Sequence, residues 1–344
     1  LTEPLDEMGR VDFAAALNGR PFPAAEENAA IPLLQVVGTE VLHGDIDATR
    51  ALLGAPADLP AKGALVPPPD EPLFSLMIED VETEEEREAF RAWIKRNEKA
   101  LELLQAASLR PRLMWPYARG PDSMLQSVLP YATWTQITDL LNARAELRRI
   151  DGQPMEAWRG IEMQLRLARL LDASPVMIWR LIGGGMRSEA LSWVGRALAS
   201  GDLDEAACAH VRRTLLALPP PAGVDRQVIR SERLILLDAY IRQVAEGVRA
   251  DGEDPSWHPV NVALTAALRE INQWFDKTEA QLRPTAAESI APLRKTAEEL
   301  RAKVKTLSDE LDSVSGKAGH LVEALVSGGT HEGRLAGTVL VSMV

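Results

Sequence analysis

The chain holds little of what most catalytic and metal sites are built from. Its single cysteine, Cys208, excludes an internal disulfide and any cysteine-based zinc site, and leaves the cellular compartment open. Lys and Arg number 38 against 50 Asp and Glu, a net charge of −12. With no basic stripe, this argues against a nucleic-acid partner, because phosphate binding depends on cations that release counterions. No stretch reaches the roughly 18 uncharged apolar residues of a membrane helix, so no span is expected in this portion. Aromatics make up only 5% of the residues, and no segment reads as a confident strand.

What is present is a helical palette. Ala, Leu, Arg and Glu dominate, and 46% of the chain is hydrophobic, enough for a real core in 344 residues. That length predicts one long helical array or two domains. Proline clusters punctuate it at Val66–Pro72, Leu218–Gly223 and Asp254–Pro259, where the missing N–H and the ring forbid a helix interior.

Between these breaks the apolar spacing predicts helices over Ala24–Val41, Glu84–Ala107, Asp122–Arg149, Pro154–Leu171, Pro175–Ala199, Leu203–Leu216 and Arg226–Val248. The long second one carries Phe90, Trp93, Ile94, Ala100, Leu101 and Leu104 on one face. The acidic run Asp80, Glu82 and Glu84–Glu86 suits its N-terminal dipole better than it suits acid–base chemistry. Two joints, Ile150–Trp158 and Ser200–Ala207, pair Gly with Asp before a helix restarts, as in antiparallel helical hairpins.

From Leu264 to Leu282, and again from Ile290 through Leu293, Ala297, Leu300, Val304, Leu307 and Leu311 to Val314, the apolar steps alternate between four and three. This is a coiled-coil seam broken at Pro284, or an ordinary amphipathic pair packed on the body. The expected fold is therefore all-α: a solenoid-like array of antiparallel helical hairpins with a C-terminal coiled-coil-like hairpin. The expected divisions are an N-terminal segment with one or two helices (1–72), a helical-hairpin body (73–254), a long hairpin (255–330) and an apolar tail (331–344). Starting at Leu1 rather than Met predicts a segment removed upstream, and the tail, ending LAGTVLVSMV, predicts a truncated element or one docked on the body.

The segment LIGGGMRSEAL (Leu181–Leu191) comes closest to a nucleotide motif, with Gly183, Gly185 and Ser188 near the pattern G-x-G-x-x-G. A phosphate loop needs a strand, a tight turn and a helix N-terminus. Here Ser174-Pro175 reads as a helix start with Ser as N-cap, and Ile178, Leu181, Gly185, Leu191, Val194 and Leu198 hold one helical phase across the triplet. The expectation is an unbroken helix whose glycines allow close packing.

His43 with Asp45 and Asp47 reads as a solvated turn, and His331-Glu332 lacks the second histidine of H-E-x-x-H. Cys208 and His210 point apart on a helix, and His258 and His320 stand alone. No catalytic residue, metal or cofactor is expected. The loop Arg110–Ser123 carries Arg112, Trp115, Tyr117 and Arg119, residue types of binding hot spots; it is either a partner-binding loop or a segment folded back so that Trp115 plugs the core. Trp134, Trp158, Trp179 and Trp193 either frame an interhelical pocket for an apolar or sugar ligand or belong to a filled core.

Three segments, Glu26–Gln35, Gln164–Leu191 and Leu268–Lys295, together resemble a large group of bacterial exported helical proteins. The matching positions are Asn28-Ala29-Ala30, Leu165–Arg169 followed by Ser174-Pro175, and Asn272–Asp276. The resemblance implies an upstream signal or anchor and a place in the cell envelope or periplasm, and it carries no functional residues. The helical array, the acidic charge and the lack of a reactive constellation point to a non-enzymatic scaffold or protein-interaction protein whose partner is another protein or itself, with a binding protein or enzyme that holds a small apolar or sugar ligand in a tryptophan-lined interhelical pocket as the alternative.

Overall fold

The computed structural model describes residues 12–19, 21–42, 46–68, 83–119, 125–126, 131–218 and 226–250, together with 269, 272–273, 275–277 and 279–280. The fold is all-α. Its helices are α1 (Phe13–Asn18), α2 (Ala30–Val37), α3 (Ile46–Leu53), α4 (Glu84–Arg96), α5 (Glu98–Ser108), α6 (Tyr131–Ile150), α7 (Pro154–Asp172), α8 (Met177–Ala199), α9 (Glu205–Ala217) and α10 (Arg226–Ala250). Among the described residues the only strands are an antiparallel pair of two residues each, β1 (Ala118–Arg119) and β2 (Leu125–Gln126). The chain forms two compact units, residues 1–174 with 179–221, and residues 175–178 with 222–344, so the division falls at the Leu218–Gly223 proline cluster.

Helix starts follow local chemistry. Asp12 and Asp204 accept the third-position N–H groups of α1 and α9 at 3.0 and 2.7 Å. Thr83 and Glu86 close a reciprocal capping box on α4, which accounts for the acidic run there. Pro154 opens α7, where its missing N–H costs nothing. The ends of α6 and α8 both finish on a left-handed glycine, Gly152 (φ 72°) and Gly201 (φ 74°), with the following amide bonded back five residues, Gln153 to Arg148 and Asp202 to Ala197. Arg149 donates to Asp202 at 2.8 Å and so ties these two turns together.

In the first unit, α6 to α9 share a core of Ala145, Trp158, Ile161, Leu165, Ala190, Trp193, Ala197 and Val211 among others, with Cys208 packed at its edge. Helix α2 buries Ala30, Leu33, Leu34, Val36 and Val37 and packs on α5. The carbonyls left over at its C-terminal end are taken by a strap, residues 60–66. Ala64 and Leu65 donate to Gln35 and Val36, while Thr39 and Glu40 donate to Pro60 and Ala61. The two backbones cross so closely that a Cβ on Gly63 would lie 2.2 Å from the Val36 carbonyl oxygen, and one on Gly38 would lie 2.3 Å from that of Ala61.

Several expected boundaries are corrected: the helix predicted from Asp122 starts at Tyr131, and Leu125–Gln126 pair as strand β2 instead. The helix predicted from Ala24 starts at Ala30, because residues 24–29 form turns that present Asn28 to the loop at Met114. The helix predicted as continuous over Glu84–Ala107 is interrupted at Asn97, whose fully buried side chain turns to bond Val66. Helix α8 begins at Met177, two residues past Pro175, and its first amide donates to the carboxylate of Glu232 from α10 at 2.7 Å rather than to a local serine cap. Burial raises the Glu232 carboxyl above its ordinary range, opposed by that same amide.

In the second unit, the described residues of the Asn272–Asp276 motif lie antiparallel to α10. Arg233 donates to Asn272 and to Asp276, both at 2.6 Å, and Arg230 to Glu279 at 2.7 Å, while Phe275 is buried. The asparagine and aspartate of the motif, four apart, thus grip one arginine. The seam Ile290–Val314, the tail 331–344, and His43, Asp45, Asp80, Glu82, His258, His320 and His331 lie outside the described residues.

Candidate functional site

Helix α8 runs without a break through Gly183, Gly184 and Gly185. The first glycine lies against α7: a Cβ there would sit 2.7 Å from the Ala168 carbonyl oxygen, 3.0 Å from Asp172 Oδ1 and 3.1 Å from Leu171 Cβ. Gln164 crosses the same contact to donate to the Met186 carbonyl at 3.0 Å. Pairings of 164 with 186, 168 with 183, and 172 with 183 show that α7 and α8 run in opposite directions. Asp172, 2% exposed, pairs with Arg169 at 2.9 Å and with Arg187, so the one carboxylate buried there is held by two cations. With helix on both sides of the triplet, its amides bond within the helix and form no nest for a phosphate.

The inward face of α8 is Trp179, Ile182, Gly183, Met186, Ala190, Trp193, Val194 and Ala197. The stripe picked out by the sequence pattern keeps the right period but lies mostly on the other side: Leu181, Leu191 and Leu198 are 40, 45 and 51% exposed. Around them the face holds Gly184, Gly185, Ser188, Ser192, Gly195 and Ala199, with no charge between its edges. Along the edges stand Glu189 and Arg196 on one side and Arg187 on the other, placed by about 100° of rotation per residue. Asn142 of α6 donates to Glu189 at 2.8 Å. One turn away on α6, Asp139 is exposed as a residue, yet desolvation of its carboxyl, and then the charge of Glu189, push it up to about 6.

The loop carrying Arg112, Trp115, Tyr117 and Arg119 is fixed by two asparagines. Asn28 accepts from the Met114 amide at 3.0 Å and donates to the Met114 carbonyl at 2.9 Å, and also accepts from Ala30. Asn18 makes the same two-point contact with Tyr117, at 2.8 and 2.7 Å. Asn97 repeats it on Val66 in the strap, where Trp93 also donates to the Val66 carbonyl. In each case a carboxamide stands in for a neighbouring strand, satisfying one residue's N–H and C=O. Trp115 and Tyr117 are thereby 8 and 7% exposed, Arg112 is exposed, and Arg119 pairs through its backbone with Leu125, its side chain lying outside the described residues.

The four tryptophans considered for an interhelical pocket are all buried. Trp134 and Trp179 meet edge to face with ring centroids 5.9 Å apart, and Trp158 and Trp193 belong to the packed core of α6 to α9. Among the described residues no group of three or more His, Cys, Asp or Glu side chains could hold a metal ion, and no helix is long and apolar enough to cross a membrane. Neither the family models nor the curated proteins nor the solved structures contain a match to this chain.

The asparagine clamps escaped the sequence reading because their partners lie 86 and 99 residues away. The only hint was an Asn at the head of the Asn-Ala-Ala segment, which alone reads as an ordinary cap. The solvent side of α8 could have been found by noticing that apolar residues recur on both sides of the helix.

Proposed function

We propose that this protein is a non-enzymatic helical scaffold or protein-interaction protein of the bacterial cell envelope, built as a solenoid-like array of hairpins with a coiled-coil-like C-terminal arm. One observation supports the interaction reading: the solvent face of α8 has three exposed leucines set among small residues and no charge between its edges. A helix with only water to face is expected to carry charged residues there. The envelope location rests on the resemblance of the Asn28–Ala30, Leu165–Pro175 and Asn272–Asp276 segments to exported helical proteins.

The test is chemical cross-linking in intact cells followed by envelope fractionation, with the full chain and with Leu191→Glu/Leu198→Glu compared. The expected result is a defined cross-linked species in the envelope fraction that the double variant loses. Unchanged cross-linking in the variant, or a purified protein that turns over a defined small molecule, sinks the reading.

A further inference from the structure

The α8 face also has an internal symmetry. Glu189 and Arg196, of opposite charge, stand on the same edge of the helix seven residues apart, ~10 Å along the axis. A two-fold axis lying in the contact plane reverses chain direction but sets each edge against its own copy. If that axis passes between Ser192 and Trp193, Glu189 of each copy falls opposite Arg196 of the other.

The same register settles the opposite edge. Leu191 and Leu198 of one helix then alternate with those of its mate at intervals of one helical turn, ~5 Å, so the leucines interleave instead of colliding. Between the edges lie Ser188, Ser192, Gly195 and Ala199, small enough for two backbones to approach; a Cβ on Gly195 meets nothing within 4 Å. One placement therefore satisfies the ion pairs, the leucines and the close approach.

We propose that this face of α8 is the contact surface for a second copy of the chain, packed antiparallel with Glu189 of each copy against Arg196 of the other. The proposal rests on the interaction reading above and names its partner. The electrostatics agree with it: Asp139 and Glu189 set two carboxyl groups near one edge with Asn142 as neighbour, a surplus of negative potential that an arriving arginine relieves.

The experiment is sedimentation velocity of the full chain at micromolar concentration, with a charge-swap pair. The wild-type protein is expected to sediment as a dimer. Glu189→Arg and Arg196→Glu each place like charges at both contacts and weaken the dimer by on the order of tenfold. Mixing the two variants restores a heterodimer, because each contact again joins opposite charges. A Ser192→Cys/Cys208→Ser chain is expected to form a disulfide-linked dimer across the axis, whereas Leu181→Cys/Cys208→Ser is not. A monomeric wild type, or variants whose mixture fails to recover the dimer while their helical circular dichroism is unchanged, overturns the proposal. If the protein is monomeric yet Leu191→Glu/Leu198→Glu abolishes cross-linking to a different protein in cells, the self-association fails and the wider reading stands.

Discussion

Replacing the glycines of α8 one at a time by alanine separates close packing from helix propensity. Each substitution in a helix interior gains about 0.5–1 kcal/mol from the restricted unfolded chain. At Gly185 a new Cβ has nothing within 4 Å, so Gly185→Ala should stabilise by that amount. At Gly183 it would sit 2.7 Å from the Ala168 carbonyl oxygen and 3.0 Å from Asp172 Oδ1. A backbone oxygen cannot rotate away, so α7 and α8 must part by several tenths of an ångström. Such overpacking costs about 1–3 kcal/mol, and it also disturbs the carboxylate held by Arg169 and Arg187. The net expectation is a loss of about 1–2 kcal/mol at Gly183, and hence a gap of about 2–3 kcal/mol between two variants of identical chemistry. Gly184→Ala, whose Cβ would meet only Arg187 Nη2 at 3.8 Å, should resemble Gly185→Ala. Urea unfolding of each variant at one low protein concentration measures these differences. Equal stability of Gly183→Ala and Gly185→Ala would refute the close approach of the two helices.

Other consequences can be checked with the same assay. Asn28→Ala strands the amides of Ala30 and Met114 and the Met114 carbonyl, and should cost about 2–4 kcal/mol. Gly63→Ala drives a Cβ into the Val36 carbonyl oxygen and should leave little folded protein, as read by circular dichroism. Asp139 has a folded pKa of about 6, above its unfolded value, so its contribution is intact below the unfolded value and lost as pH rises through 6. Asp139→Asn should remove that part of the stability loss between about pH 4 and pH 6, and titration of unfolding midpoints against pH reads it. Millimolar nucleotide should leave the melting temperature unchanged, whereas a rise would restore the phosphate reading of Gly183–Ser188.

The helical class was legible because segments such as Pro154–Asp172 repeat apolar residues at a single period, and because Gly152 and Gly201 follow them in the position a left-handed helix end requires. The continuity of α8 was legible from phase alone, but its orientation was not: with leucines on the outer side and tryptophans on the inner, period gives the element and leaves the direction of the core open. The interruption at Asn97 and the late start at Met177 were hidden for a different reason. Each depends on a partner distant in sequence, Val66 in one case and Glu232 in the other, and local propensity carries no record of such partners. The composition of the loop at Trp115 left a binding element and a core plug both open, while Asn18 and Asn28, which decide its course, resemble ordinary helix-flanking residues.

The strap across the end of α2 has a consequence for how the N-terminal region opens. Amides of Thr39 and Glu40 on one side and of Ala64 and Leu65 on the other are protected only while both backbones stay crossed at Gly38 and Gly63. Neither segment can expose its hydrogens to deuterium without releasing the other, so all four should exchange at one common rate, as a single cooperative latch.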